Sequence, residues 1–494
     1  MRTTDSRNRK QGGTGLSVPR LVWVILAVYL CLFFALAARK FAVMNSNEGD
    51  MAVTVNACWN TIHGRFFYSI YIGMSHLGVH TSFAELICVP FYWLFPSVYT
   101  LLFLQSLTLT LAGYVFYLVA RQVHGDARTA LLLMLGFLFY PTIVTNHVAQ
   151  IHFEYWSLPY LLAAVYFFVS ERFWPFMAFA FLGMTGQENL PLTVGMFGVY
   201  ALVKRRHWRW SVSPIALALA YGLFVFNVVI PHFAGTRGYV VSHYFETLGN
   251  TPGELVKTVV TQPWRIIAQM CQMDRLVYLI FMLQPLLLLT PLCAWEFLLV
   301  VPSLSVNLLV NGAAFRVIGW HYNPTVGAFL CVAAVFGVKN LAGWLERHWQ
   351  LVQPQLILAF GICAVSIASW PLWFNIDEYM ASAYYPTLKK VLEIIPPGKS
   401  LLSPITMLAH FADRESALHQ LQFDPNLPMS NLQPIEKMYT LDYIILDGNE
   451  RRFPKDVVTR EMLMSFYTNV NYKLILDENN VFVFGRREPI GVTP

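Results

Sequence analysis

Long apolar runs separated by short polar breaks fill the first three-quarters of the chain. Runs at roughly 21–38, 99–120, 128–146, 155–170, 173–187, 189–203, 211–231, 277–294, 297–311, 324–338 and 355–373 predict about eleven transmembrane helices. Those at 173–187, 189–203 and 297–311 fall short of the roughly 20 residues that a perpendicular span needs, so they must tilt, thin the bilayer or lean on neighbours. The apolar piece 84–96, interrupted by Pro90 and closed by Pro96, reads as a re-entrant or interfacial helix. After about residue 375 the pattern changes. Between 395 and 494, twelve Asp and Glu mix with ten Lys and Arg, which marks a soluble segment. There, 399–403 and 441–447 read as strands, and 472–476 with 481–484 as a hairpin around Asp477-Glu478-Asn479-Asn480. With helical patterns near 379–395 and 455–467, they predict a small C-terminal α/β domain.

Composition agrees with a polytopic α-helical membrane protein: 56% of residues are hydrophobic and only 13% charged. The expected organisation is a basic cytoplasmic tail at 1–20, a transmembrane domain at 21–374 with a large first outer loop at 39–98, and a soluble outer domain at 375–494. Charge sets the orientation. Arg2, Arg7, Arg9, Lys10 and Arg20 face Asp5 alone, which keeps the N-terminus inside. Counting spans alternately then places Arg121, Arg128, the Lys204–Arg209 cluster, Lys339 and Arg347 on the same inner side. Treating 84–96 as a full span would invert every later loop, so the charges favour the re-entrant reading. The outer face then receives 39–98, the turns at 147–154 and 186–189, the loops 232–276 and 311–323, and the tail. The expected location is the inner or plasma membrane, with the tail periplasmic or extracellular. No cleavage site of small residues follows 21–38, which reads as a retained anchor.

Most membrane-adjacent acids and histidines fall on that outer face. The first loop alone gathers Glu48, Asp50, His63, Arg65, His76 and His80, and ionisable groups beside a bilayer are costly unless they meet water, a partner or a substrate. Asp50 can serve as a general base on an acceptor hydroxyl or help to bind a metal; it can equally cap a helix. His80 can donate to phosphate or ligate a metal, or simply be solvated. His152 and Glu154 occupy the second outer turn, where a structural hydrogen bond between helices is the alternative. Glu188, in Gly186-Gln187-Glu188-Asn189 between apolar helices, is a candidate by its depth. Arg237 and Arg316, the latter close to His321-Tyr322, suit a lipid phosphate because the guanidinium donates two parallel bonds; headgroup contact is the bland reading. Trp59 and Asn60 read as residues that shape the loop. The seven cysteines lack metal-ligand spacing and read as small buried hydrophobes. The modest net charge of +6 does not suggest nucleic-acid binding. Walker, Rossmann, nucleophile-elbow and two-histidine zinc signatures are missing, which disfavours a soluble nucleotide-dependent enzyme.

The string Asp50…Trp59-Asn60-Thr61-Ile62-His63-Gly64-Arg65-Phe66, continuing to Gly78-Val79-His80-Thr81-Ser82, resembles the opening signature of a prokaryotic polytopic membrane family, domain of unknown function 2079. His152-Phe153-Glu154, Gln187-Glu188-Asn189, His321-Tyr322 and Leu441-Asp442-Tyr443-Ile444-Ile445-Leu446-Asp447 fit the same pattern, so the resemblance runs from about residue 40 almost to the end. That family is similar in layout to C-type (GT-C) glycosyltransferases. These place a catalytic acid in a large first outer loop and take a sugar from a polyprenyl phosphate. The chain departs from the family where Val55, Val79, Gln187 and Asn189 replace polar or acidic residues. Those losses weaken a metal-binding proposal and leave Asp50, Glu154 and Glu188 as the acids to consider.

The resemblance implies an inverting membrane glycosyltransferase. Asp50 would be the base, with Glu154 and Glu188 as further catalytic acids. His80, His152, Arg237, Arg316, His321 and Tyr322 would bind a polyprenyl phosphate-linked sugar among the membrane lipids. No residue is assigned as a metal ligand, and a divalent metal is left open as a cofactor. The alternatives are a lipid or solute transporter or flippase, and a non-catalytic membrane assembly protein.

Overall fold

The computed structural model describes residues 17–46, 48–148, 151–235, 245, 247–249, 252–372, 374–416, 418–420, 440–449 and 460–487. The chain opens with α1 (Val18–Ala42) and α2 (Gly49–Ile62), then a two-stranded ribbon, β1 (Tyr68–Ser69) and β2 (Met74–Ser75). There follow α3 (Cys88–Leu94), α4 (Val98–His124), α5 (Ala127–Leu138), α6 (Pro141–His147), α7 (Leu158–Val169), α8 (Phe173–Met184), α9 (Leu190–Val203), α10 (Arg209–Phe224) and α11 (Ile230–Ala234). Next come α12 (Pro252–Thr261), α13 (Pro263–Met270), α14 (Met273–Leu283), α15 (Val301–Leu309), α16 (Pro324–Trp349) and α17 (Pro354–Ser369).

Among the described residues, five helices are long and apolar enough to cross a membrane: Val18–Ala42, Val98–His124, Arg209–Ala234, Pro324–Trp349 and Pro354–Leu372. Two bent pairs, α5 with α6 and α13 with α14, raise the number to seven if each is one span. Hydropathy marked eleven; the runs at 155–170, 173–187, 189–203 and 297–311 form helices of only 12, 12, 14 and 9 residues, and two other runs are broken at prolines. Pro141 restarts the helix after a 58° bend within the expected span 128–146. The run 277–294 is not one helix. It ends as α14 at Leu283 and continues in 3₁₀ turns that begin around Pro285 and Pro291. A missing amide proton and a fixed φ make both breaks the expected result. The apolar helices at Phe83–Leu94, Phe173–Met184 and Leu190–Val203 are shorter still. The first of these buries Cys88 and Tyr92 but exposes Trp93, Leu94 and Phe95, as an interfacial helix would.

The helix ends are segregated by chemistry. Arg121 and Arg128 flank the α4–α5 turn, Lys204 to Arg209 join α9 to α10, and Arg347 closes α16. The start of α2, the 151–157 turn, the 185–189 turn and the 317–323 segment lie at the opposite ends of those helices.

The C-terminal segment forms α18 (Tyr385–Ile394), α19 (Arg460–Tyr467) and a five-stranded mixed sheet. Its strands are β3 (Leu401–Ser403), β4 (Leu418–Gln420), β5 (Tyr443–Asp447), β6 (Tyr472–Glu478) and β7 (Val481–Arg486), in the order β4-β3-β5-β7-β6. β3 pairs in parallel with β4 and β5, and β7 pairs antiparallel with β5 and β6. The hairpin turns through Asn479 and Asn480, both with positive φ (54° and 61°), the backbone that tight two-residue hairpins favour. Sequence pattern foresaw four of the five strands; β4 has only three residues and carries no alternation of its own.

The tail is not a separate body. Met51, Val55 and Cys58 of α2 share one apolar core with Leu388, Val391, Met407, Phe411 and Val483. Asn56 donates to the Ala412 and Arg414 carbonyls at 2.6 and 2.9 Å and accepts from Asn60 and the Ile70 amide. Glu48, fully buried ahead of α2, accepts from the Ala409 amide at 2.8 Å. Its carboxyl is pushed well above the usual range by burial, against the pull of the Ala409 and His410 amides. Much of the polarity of the first loop is therefore architectural. His63 stacks on Trp59, and Arg65 pairs with Glu415.

Gly78 fixes the path of this loop against α11. A Cβ there would lie 2.7 Å from the backbone of Phe233 and Ala234. Gly78→Ala is expected to cost about 1–3 kcal/mol, read as a lowered thermal midpoint in detergent. An unchanged midpoint would show that the loop is loosely seated.

Candidate functional site

Asp50 sits in the first turn of α2, where the positive end of the helix dipole favours a carboxylate. Its side chain is 43% exposed, and one carboxylate oxygen lies 3.6 Å from His321 Nδ1. The His321 ring stacks on His152, with centroids 3.9 Å apart and planes 17° from parallel. Asp50, His152 and His321 each offer a donor atom within 4.8 Å of the others, so they could hold a metal ion. Burial pulls both histidines below the ordinary range, and the neighbouring His80 lowers both further; for His321, Asp50 opposes the shift.

Buried amides fix these rings. The His152 amide donates to Gln105 of α4 at 3.0 Å, and the Glu154 amide reaches His152 Nδ1 at 3.4 Å. Around His321, Asn146 donates to the Trp320 carbonyl, and Asn323 to the carbonyls of Val317 and Trp320. Asn307 ties the Tyr322 carbonyl and the Asn323 side chain, while Tyr278 and Tyr155 complete the network by donating to Asn323 and Asn146. Sequence reasoning passed over these residues. Isolated asparagines inside apolar runs were the available signal.

Beside this triad lies a second pair. His80 Nδ1 is 3.0 Å from one Glu188 oxygen, and the Thr81 amide donates to the other at 3.2 Å. Burial opposes a charge on His80, but Glu188 outweighs it with help from Asp50 and Glu85, so the imidazole sits above the ordinary range. Behind it, His76 meets the fully buried Glu85 at 3.0 Å, which also accepts from Thr54. His76 was one of the ionisable residues the first loop gathers, without an assigned role; Glu85 was not singled out. Gly186 lets the Glu188 turn press against the 153–157 turn, since a Cβ would fall 1.5 Å from Ser157 Oγ.

Glu154 is buried, and desolvation by its surroundings raises it to about 7, against Thr325 and His80; Glu188 adds to the rise. The folded protein therefore keeps this proton between about pH 4.5 and 7, where an unfolded chain has released it. Its contribution to stability is full below 4.5 and lost as pH rises to about 7. A shift of that size is worth about 3 kcal/mol. Glu154→Gln should flatten this part of the fall in thermal midpoint between pH 5 and 8. An identical slope in both proteins would refute it.

Asp50, His80, His152, Glu154, Glu188 and His321 thus form one electrostatic cluster. Arg316 stands beyond it, paired with Asp274 at 2.7 Å and donating to the carbonyls of Val310 and Asn307. Tyr278 feels both Arg316 and Glu154. The Tyr322 ring stacks on Phe315 at 3.7 Å. Arg237 lies outside the described residues. His147, close to His152 in sequence, instead packs against Phe33 and Tyr29.

The family described as "Predicted membrane protein (DUF2079)" matches residues 40–483. The chain belongs to that family. Its fold is similar to that of ArnT from Cupriavidus metallidurans. The structure bound to undecaprenyl phosphate aligns with a TM-score of 0.53 at 12% identity, covering 94% of this chain and 97% of that one. The apo structure aligns with the same score at 11% identity, covering 94% and 98%. No curated protein matches the chain. For this DUF2079 protein the likeness establishes the fold; its chemistry must be argued from its own residues.

Proposed function

We propose that the protein is a membrane glycosyltransferase of the C-type layout, moving a sugar from a polyprenyl phosphate-linked donor to an acceptor in the cell envelope. The observation that carries this reading is the convergence of Asp50, His152, Glu154, His321 and the His80–Glu188 pair at one end of the helices. The overall fold, similar to that of an ArnT whose structure holds undecaprenyl phosphate, supports it. Asp50, the most open acid of the cluster, takes the proton of the acceptor hydroxyl. The hydroxyl attacks the anomeric carbon opposite the phosphate, which inverts the configuration. His80, held as a cation by Glu188, stabilises the departing phosphate together with Arg237 and Arg316. Glu154, protonated up to about pH 7, suits a hydrogen bond to a phosphate oxygen. His152, His321 and Tyr322 line the sugar. An apolar groove between α4 and α7, lined by Leu107, Leu111, Trp156, Tyr160 and Phe167, suits an isoprenoid tail.

The basic helix ends face the cytoplasm by the positive-inside rule, which leaves the cluster and the tail outside. The test uses protein in liposomes, undecaprenyl phosphate carrying a labelled sugar, and an envelope fraction as acceptor. Transfer of label with release of undecaprenyl phosphate is expected. Movement of chemically unchanged label across the bilayer would establish transport instead.

A further inference from the structure

We propose that Asp50, His152 and His321 bind one divalent transition-metal ion, of the zinc and manganese class, in an open site. The three donors come from separate segments, the start of α2, the 151–157 turn and the 317–323 segment, yet fall within 4.8 Å of one another. Donors around a tetrahedral zinc at bonds of about 2.0–2.1 Å stand roughly 3.3 Å apart. Side-chain rotation that brings the three donors from within 4.8 Å to that spacing completes the site. The His152 and His321 rings stack nearly parallel, 3.9 Å apart, so they splay from that stack to direct their in-plane lone pairs at one ion. Both rings are buried, and the asparagine network holds the backbone on either side of His321. The 3.4 Å approach of the Glu154 amide to His152 Nδ1 is long for a hydrogen bond, and a turned ring gives it up at small cost.

The donor set selects the ion. Two imidazoles with one carboxylate suit zinc, manganese, cobalt or iron, whereas magnesium and calcium prefer oxygen alone. Three protein ligands leave at least one position open, and the 43% exposure of Asp50 gives that position access to an incoming oxygen. A phosphate or hydroxyl oxygen is the class of ligand such a cation takes. Bound to a hydroxyl, the ion lowers its pKa and so shares the task assigned above to the Asp50 carboxylate.

Metal binding is read without substrate, so it stands or falls independently of glycosyl transfer. Protein purified without chelator is expected to carry about one equivalent of metal by elemental analysis. Stripped protein should take up Zn²⁺ or Mn²⁺ to the same stoichiometry and leave Mg²⁺ unbound at equal concentration. Asp50→Ala and His321→Ala should each lower the content at least tenfold while eluting as folded protein. If either alanine variant fails to fold, Asp50→Asn and His321→Gln, which keep the volume, read the same loss. X-ray absorption on the zinc-loaded protein should show two imidazole ligands. Failure of stripped wild-type protein to take up Zn²⁺ or Mn²⁺, or undiminished metal in the folded variants, would overturn the proposal. Normal metal content without sugar transfer would leave the site intact and refute only the enzymatic reading.

Discussion

Asp50→Asn should lower sugar transfer by two to four orders of magnitude and leave the fold standing. A general base is worth roughly 10²–10⁴-fold, and the amide keeps the volume while losing the lone pair that takes the proton. The structural cost is small. Asp50 is 43% exposed and its tie to His321 spans 3.6 Å, so what is lost is mainly a favourable charge in the first turn of α2, about 0.3–1 kcal/mol. Initial rates of label transfer, compared with the thermal midpoint of the same preparation, separate the two effects. Activity within threefold of wild type would remove Asp50 from the chemistry altogether. A lost activity restored by added Zn²⁺ or Mn²⁺ would show that the carboxylate acts through a metal rather than as the base.

Glu188→Gln is expected to act differently, by raising the KM for the lipid phosphate donor at least tenfold with a smaller effect on kcat. Both oxygens of Glu188 are engaged, one by His80 and the other by the Thr81 amide, which suits it to position His80 and to favour its protonated form. Breaking a buried pair of this kind costs roughly 3–5 kcal/mol when one partner's charge is left behind; His80 avoids that cost by giving up its proton. Its pKa, raised in the wild type by Glu188 against burial, then falls. Donor affinity in the wild type should weaken as pH climbs through the raised value, and in Glu188→Gln the same limb should move to lower pH. A loss confined to kcat, with an unmoved pH limb, would instead make Glu188 a direct participant in proton transfer.

The sequence was most legible where charge broke an apolar background. Asp50, His80, His152, Glu154, Glu188 and His321 all stood out by that contrast, and the structure gathers them. It was least legible where the same polarity serves architecture. Glu48 and Arg65 looked as functional as Asp50, yet one anchors the Ala409 amide and the other pairs with Glu415. Such partners lie more than 300 residues away and leave no local trace. Glu85 was overlooked for a related reason. Its neighbours read as an interfacial helix, whereas burial with His76 and Thr54 is a matter of tertiary packing. Hydropathy likewise found the apolar runs but not the prolines' effect on their continuity, which is why 277–294 is a broken run rather than a rod.

The bond between Glu48 and the Ala409 amide, 361 residues apart in the chain, sets an order of events during biogenesis. α2 emerges from the ribosome early, but the Glu48 carboxyl and the Asn56 amide nitrogen meet their tail partners only once residues 409–414 have been made. Asp50, two residues after Glu48 and proposed above as the base, therefore reaches its final setting late, although it is among the first residues to be synthesised.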